Sequence, residues 1–337
     1  MKRVAEGIEL DLEGLRILPG LINAHDHLEF ALFPRLGQRI YGNASEWARD
    51  IYHPNESPIQ EHLEVPKPLR LLWGGLRNLA CGVTTVCHHN PYEAAFDDGF
   101  PVRVVKHFGW AHSLAFETNI RDNFNATPPG APFLIHAGEG TDETAGREIF
   151  RLHELGVLDE RTVLIHAVGF DADGWELVRK TGAGVVWCPR SNLFTLGRTL
   201  SKEVLGSGIS IALGTDSPLT AEGDLLDEIC AARELAGAEF RMDAAARLLR
   251  LPPQPDDWIA AAGFGEPPEL VVTGGMIRLI SPRLARAIPP PICREFFPMQ
   301  IETRPPVLVR WNVPRMLEET SQHLGEDIRM AGRKVYA

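Results

Sequence analysis

Apolar residues in this chain gather in short, nearly continuous runs that end in polar or ionisable residues, with helical or loop-forming stretches between them. The clearest runs are 17–24 (ILPGLINA), 83–87 (VTTVC), 102–108 (VRVVKHF), 133–137 (FLIHA), 162–167 (TVLIHA), 184–188 (GVVWC) and 209–214 (ISIALG). Runs rich in β-branched residues and apolar at nearly every position read as strands covered on both faces. From Phe133 onward they return roughly every 25 residues, room for a strand, a crossover helix and two loops. Stretches 143–155 and 224–235 carry apolar residues at helical spacing. The alternation predicts an α/β fold: a parallel sheet with crossover helices, open or closed into a barrel.

Seven strands stand out, and an eighth is expected as a short piece near 112–116. The stretch from 108 to 133 barely holds a βα unit, so a barrel would be shortened in its middle. The insert 28–69, rich in aromatics, Pro and Asn, is expected to shape or cover a site. Beyond Leu251 the texture changes to Pro-rich segments, two short β runs (ELVV, MIRLI) and a helical stretch at 313–324. These boundaries divide the chain into a residual N-terminal β segment (1–18), the main α/β unit (19–251) and a C-terminal β appendage with a helix (252–337).

Composition narrows the partners. The 337 residues carry a formal net charge of −11, a field that repels phosphate backbones and anionic lipid. Neither nucleic acid nor a membrane surface is expected as a partner. The first residues, MKRVAEGIELDLEG, lack the apolar core of a signal peptide, and no run is long enough to span a bilayer. Five cysteines without a CxxC pair, two of them in apolar runs, fit a reduced cytoplasmic setting.

The chemistry lies at the ends of the runs. His25 and His27 flank Asp26, and alternate strand residues point the same way, so two imidazoles share one space while Asp26 faces elsewhere. His136 and Glu139 follow in FLIHAGEG, His166 ends TVLIHA, and Asp216 follows ALGT. Ionisable groups at the ends of buried strands are costly without a partner, so the set points to convergence around a cation. Imidazoles with one carboxylate suit zinc, with iron, manganese and cobalt as alternatives. Such an ion lowers the pKa of bound water toward neutrality. From its loop, Glu139 can protonate a leaving or ring nitrogen. His166 can orient the water, stabilise an oxyanion or bind a second metal. His89, Trp110, His112 and Asn192 are the candidate substrate-binding residues. Ser217 reads as a supporting neighbour of Asp216, and the role of Glu29 stays open.

In order and spacing, PGLINAHDHL, HAGE, IHAVG, WCPRSN and LGTDSP resemble the amidohydrolase superfamily over residues 18–251. The nearest resemblance is to its deaminase and chlorohydrolase branch, which includes guanine, cytosine, S-adenosylhomocysteine and triazine aminohydrolases. That resemblance implies a TIM-type (β/α)8 barrel with a β-sandwich drawn from the two termini, here reduced. It implies one divalent metal on His25, His27, His136 and Asp216, with Glu139 as proton shuttle and His166 beside the water. Asp216 would also take the water's proton, and a homodimer would be ordinary. No Lys convincingly ends a middle strand, which argues against a bridged two-metal site.

The expected function is therefore a metal-dependent aminohydrolase, a deaminase of a small nitrogen heterocycle. A cyclic-amide or C–Cl hydrolase is the alternative within the superfamily, and a catalytically silent scaffold the alternative outside it. No GxGxxG, P-loop, HExxH, GxSxG or HxE/PCxxC pattern supports another chemistry.

Overall fold

The computed structural model describes residues 2–5, 7–12, 14–97, 99–237 and 244–337; positions 1, 6 and 13 of the expected N-terminal segment and 98 and 238–243 of the main unit lie outside the described residues. Eight parallel strands follow one another along the chain: β1 (Leu21–Asp26), β2 (Val83–His88), β3 (Arg103–Val104), β4 (Gly109–Ser113), β5 (Phe133–Ala137), β6 (Thr162–His166), β7 (Gly184–Trp187) and β8 (Ile211–Leu213). All positions of β2, β5, β6, β7 and β8 are buried, as strands covered on both faces must be.

The ladders form two sheets, β1–β2–β3 and β4–β5–β6–β7–β8. They meet where the backbone N–H groups of Thr215 and Asp216, just past β8, donate to the carbonyl of His25 at 2.9 and 3.1 Å. Among the described residues no ladder joins β3 to β4, so the hydrogen-bonded ring expected of a closed barrel is not complete. The physical reason lies in β3. The run 102–108 was expected to be a full strand, yet only two of its residues pair, and Lys106–His107–Phe108 turn away before β4 begins. The eighth strand does exist, as Gly109–Ser113, and it is followed by only a short helix, Ile120–Ala126.

The run 17–24 also divides. Arg16–Pro19 belongs to an antiparallel sheet and Leu21–Asp26 to the parallel one, with Gly20 between them. A Cβ at Gly20 would lie 2.1 Å from Thr84 Oγ1, so only glycine lets the chain change sheets this close to β2. The antiparallel sheet has eight strands. It runs from Arg16–Pro19 through Trp258–Ala261, Pro268–Thr273, Met276–Ile280, Val307–Val309 and Phe297–Ile301 to Arg333–Tyr336 and Arg329–Met330.

Period-two alternation gives this sheet two faces. Trp258, Leu270, Val272, Ile277 and Ile280 pack with Leu10 and Leu12. Ile259, Val271 and Leu279 join the main core, which also holds Leu76, Ile135, Leu164 and Trp187. Helix Lys67–Ala80 lies between β1 and β2, burying Trp73, whose indole N–H donates to Thr320 on helix Val313–Leu324 at 2.9 Å. All five cysteines are unpaired. Among the described residues no helix is long and apolar enough to cross a membrane.

Candidate metal centre

The C-terminal ends of β1, β5, β6 and the turn after β8 converge. One ligand atom from each of His25, His136, His166 and Asp216 lies within 4.8 Å of the others, and all four residues are buried. Close backbone approach makes this possible. A Cβ at Gly214 would stand 2.7 Å from the Cβ of His25 and 3.0 Å from its backbone nitrogen. Asn23 ties β1 to the same turn, accepting from Thr215 N at 3.1 Å and donating to Thr215 Oγ1 at 2.8 Å. Asp26, as the alternation requires, faces away, where Asn78 Nδ2 donates to it at 2.7 Å and Arg77 Nη1 at 3.4 Å.

The hydrogen bonds fix which imidazole nitrogens carry hydrogen. His136 Nδ1 lies 2.8 Å from the His112 carbonyl, so Nδ1 donates and Nε2 presents a lone pair. His89 Nε2 lies 3.1 Å from the Ala111 carbonyl, which leaves His89 Nδ1 as an acceptor. His25 Nδ1 stands 3.3 Å from that acceptor and must donate, so His25 Nε2 is also bare. The two bare nitrogens face each other at 3.2 Å. Burial, then neighbouring imidazoles, push His136 and His89 well below the usual histidine pKa, which disfavours protonation as the remedy.

Two facing lone pairs beside a carboxylate are repulsive without a cation and attractive around one. Asp216 Oδ1 completes the set 3.4 Å from His25 Nε2. Burial opposes its ionisation, yet contact with His25 and then the imidazoles of His166 and His27 hold it well below the usual carboxylate range. The donor set fits a divalent ion of the zinc type.

Asp216 has φ 58°, and His166 and Ala167 have φ 75° and 56°. Left-handed backbone at non-glycine residues costs about 1–3 kcal/mol each and gathers at functional sites. Three bonds hold Asp216 there: Ser191 Oγ donates to Oδ2 at 2.6 Å, Thr220 Oγ1 to Oδ2 at 3.0 Å, and Ser217 N to Oδ1 at 2.7 Å. His166 Nδ1 is bonded to Asn192 Oδ1 at 2.7 Å, while its Nε2 is buried without a hydrogen-bond partner. That bare nitrogen lies 3.4 Å from Glu139 Oε1 and 3.9 Å from Asp216 Oδ2. Burial pushes the Glu139 carboxyl up to about 7, with Asp216 and Glu148 adding to the rise and His166 opposing it.

His27 stands at the edge of the cluster, its Nε2 3.7 Å from Asp216 Oδ1. Its Nδ1 is 3.3 Å from Asn90 Nδ2, which also donates to Glu29 Oε1 at 2.6 Å. In this arrangement the hydrogen sits on His27 Nε2. Metal ligation there requires Asn90 to turn its amide oxygen toward Nδ1.

A cavity of about 350 Å³ opens over the cluster, lined by His27, His112, His136, Glu139 and Asp216 among others. Of the expected substrate-binding residues, His112 is on its wall. His89 lies behind, bonded to His25; Trp110 packs edge-on against His89 at 5.4 Å; Asn192 holds His166. The insert 28–69 supplies the outer wall, as expected, although its helix was not foreseen. Helix Ala44–Ile51 turns Ala44, Trp47, Ala48 and Ile51 to the cavity, an i, i+3, i+4, i+7 face. Asn43 caps this helix, and Ala44 N donates to the Glu139 carbonyl at 2.9 Å. The signal was present as helical spacing inside the aromatic-rich insert.

No protein-family model matches the chain. Among curated proteins it is 27% identical over 272 residues to a 5-methylthioadenosine/S-adenosylhomocysteine deaminase of Natronomonas pharaonis, covering 65% of this chain and 62% of the relative. It is 30% identical to the protein so named in Haloarcula marismortui, covering 66% and 62%. The chain thus spans about three fifths of the length of these relatives. In structure it resembles an adenosine deaminase from Xanthomonas campestris with bound zinc (TM-score 0.66, 16% identity, 92% of this chain and 85% of that one). A mutant atrazine chlorohydrolase from Arthrobacter aurescens, complexed with zinc and atraton, gives a TM-score of 0.62 at 13% identity, covering 93% and 89%.

The parallel α/β fold of the chain is shared with these two zinc-bound structures, and a histidine–aspartate cluster lies at its strand ends. The curated relatives it resembles in sequence are named as deaminases, and the solved structures that share its fold include an adenosine and a guanine deaminase.

Proposed function

We propose that this protein is a metal-dependent aminohydrolase that releases ammonia from a small nitrogen heterocycle. In this reading residues 19–251 form a (β/α)8 barrel closed by packing across the β3/β4 gap. Residues 1–18 and 252–337 supply the β appendage, and one zinc-type ion serves the site. His25, His136 and Asp216 hold the ion, and His27 completes the set once Asn90 turns its amide. When bound, the ion supplies the Lewis acidity that ionises a water near neutral pH.

The chain's own groups then move the protons. Asp216 Oδ2 takes the water's proton, and the bare Nε2 of His166 orients that water. Glu139, whose carboxyl is pushed up to about 7, donates its proton to the ring nitrogen, and Asp216 passes the proton it took from water to the departing amine. The observation that carries the reading is the placing of Glu139 Oε1 3.4 Å from the unpartnered His166 Nε2, against the His25–Asp216 pair. An acid poised near neutrality beside a metal-ready cluster is what protonation of an amidine-like nitrogen needs.

The test is elemental analysis of purified protein, followed by ammonia release from a panel of purines, pyrimidines, pterins and triazines. Stoichiometric metal lost in His25→Ala and Asp216→Ala, with ammonia from at least one ring class, is the expected result. Metal-loaded protein that frees no ammonia from any of them overturns the proposal.

A further inference from the structure

The loop that carries Glu139 is held by the insert. Gly42, Asn43 and Ala44 run antiparallel to Glu139, Gly140 and Thr141. Ala44 N donates to the Glu139 carbonyl at 2.9 Å and Thr141 N to the Gly42 carbonyl at 2.8 Å, with Asn43 opposite Gly140 between them. A Cβ at Gly140 would stand 2.7 Å from the Gly42 carbonyl oxygen and 2.8 Å from the Asn43 Cβ, so only glycine admits the insert this close. Side chains lock the pairing. Asn43 Nδ2 donates to Asp142 Oδ2 at 2.6 Å, while Asn43 Oδ1 caps helix Ala44–Ile51 by accepting from Glu46 N at 2.9 Å. Asp142 is itself a cap: its Oδ1 accepts from Ala145 N at 2.9 Å in the first turn of helix Glu143–Glu154. One hydrogen bond thus joins the caps of two helices that flank the acid. From the second helix, Glu148 Oε2 accepts from Gly138 N at 2.7 Å and fixes the residue before Glu139.

We infer that Asn43 and Asp142 are positioning residues for the acid Glu139, so that the insert carries the pocket wall and the acid as one body. The inference rests on the aminohydrolase reading for what Glu139 does, and on the pairing alone for what holds it. Beyond the His166 contact at 3.4 Å, no hydrogen bond among the described residues holds the Glu139 carboxyl, so its aim follows its backbone. That backbone is fixed by Ala44, the first residue of the helix whose Ala44, Trp47, Ala48 and Ile51 face the cavity. A ligand that presses on this wall therefore bears on the acid. Misplacing a catalytic group by about 1 Å costs on the order of 10²-fold in rate, and a slackened pairing allows such a shift without touching the metal cluster.

The experiment uses the zinc-loaded full chain and an exchange of the two side chains. Asn43→Asp keeps its helix cap but sets a second carboxylate against Asp142. Asp142→Asn keeps its own cap only by turning its amino group toward that of Asn43. Asn43→Asp combined with Asp142→Asn restores both caps and the bond between them, with its direction reversed and the total charge unchanged. Hydrogen exchange of peptides spanning 42–45 and 138–142 reports the pairing by mass spectrometry, and ammonia release from the ring panel reports the chemistry. Each single variant should speed exchange at Ala44 and Thr141 and lower kcat, both by at least about tenfold, with KM within about threefold and zinc content unchanged. The double variant should return to within about threefold of the parent in both readouts. Unchanged exchange in the single variants overturns the inference. So does a kcat that survives faster exchange, or a loss seen in KM alone, or a double variant with the parent's Tm that recovers neither readout. If the parent frees no ammonia from any ring class, the aminohydrolase reading falls and exchange alone judges the pairing: fast in the single variants and slow in the double supports it, and no change overturns it.

Discussion

Ser191→Ala removes one hydroxyl and asks whether the bonds around Asp216 position a ligand. Ser191 Oγ sits 2.6 Å from Asp216 Oδ2, and both residues are buried. A hydrogen bond to a charged group contributes about 1.5–3 kcal/mol, and each 1.4 kcal/mol is a factor of ten in a binding constant. Thr220 Oγ1 still reaches the same oxygen at 3.0 Å and Ser217 N the other at 2.7 Å, so the lower end applies. Zinc affinity should weaken about tenfold, in line with the ~10–100-fold cost of losing an outer partner of a metal ligand. Thr220→Val with Ser191→Ala should weaken it further, because the left-handed backbone of Asp216 then keeps only the Ser217 contact. The assay is zinc competition against a chromophoric chelator, with Tm recorded to show that the variants fold. A folded Ser191→Ala protein whose zinc Kd is unchanged would refute the reasoning. A tighter Kd would do so too, by showing that the hydroxyl damps the carboxylate's basicity instead of aiming it.

Three further outcomes are expected. Glu139→Gln should lower kcat by about 10²–10⁴-fold with metal content unchanged; loss of metal along with activity would place Glu139 among the ligands. Removing the ion with a chelator should lower Tm, and restoring zinc to 100 times its Kd should return about 2.7 kcal/mol of stability; a Tm indifferent to zinc counts against a native site. Burial pushes the Glu228 carboxyl up to about 8, against an ordinary value near 4.5. Between those values the folded chain holds a proton that the unfolded chain has released, so Glu228 makes stability fall as pH rises through that window, by up to about 1.4 kcal/mol per unit. Glu228→Gln should flatten the decline of Tm from pH 6 to 8, and an identical slope in both proteins removes Glu228 as its source.

What the sequence disclosed was set by which features are local. Strand ends are local: an apolar run closing on His136, His166 or the Asp216 turn is visible in one dimension, and all three meet in space. The alternation at His25–Asp26–His27 likewise sent Asp26 outward to Asn78 and Arg77. Pairing partners are not local. Nothing in VRVVKHF says that only Arg103 and Val104 find a ladder, since that depends on where β4 lies. The antiparallel sheet was underestimated for the same reason: its short strands are individually weak signals that become eight only when Arg16–Pro19 joins them. Where a side chain points is not local either. Trp110 and Asn192 were expected against a ligand, yet they pack on His89 and His166, and the wall they seemed to offer is provided by Trp47, Tyr52 and Phe116.

The pairing of Arg16–Pro19 with Trp258–Ala261 bears on how the molecule is made. The strand that leads through Gly20 into His25 finds its sheet neighbour only after about 240 further residues have left the ribosome, a long loop to close. Until then the first two imidazoles hang from a strand with one flank unsecured. The last strand to secure the approach to His25 therefore comes from beyond the whole parallel unit, so the metal site depends on a contact far away in the chain.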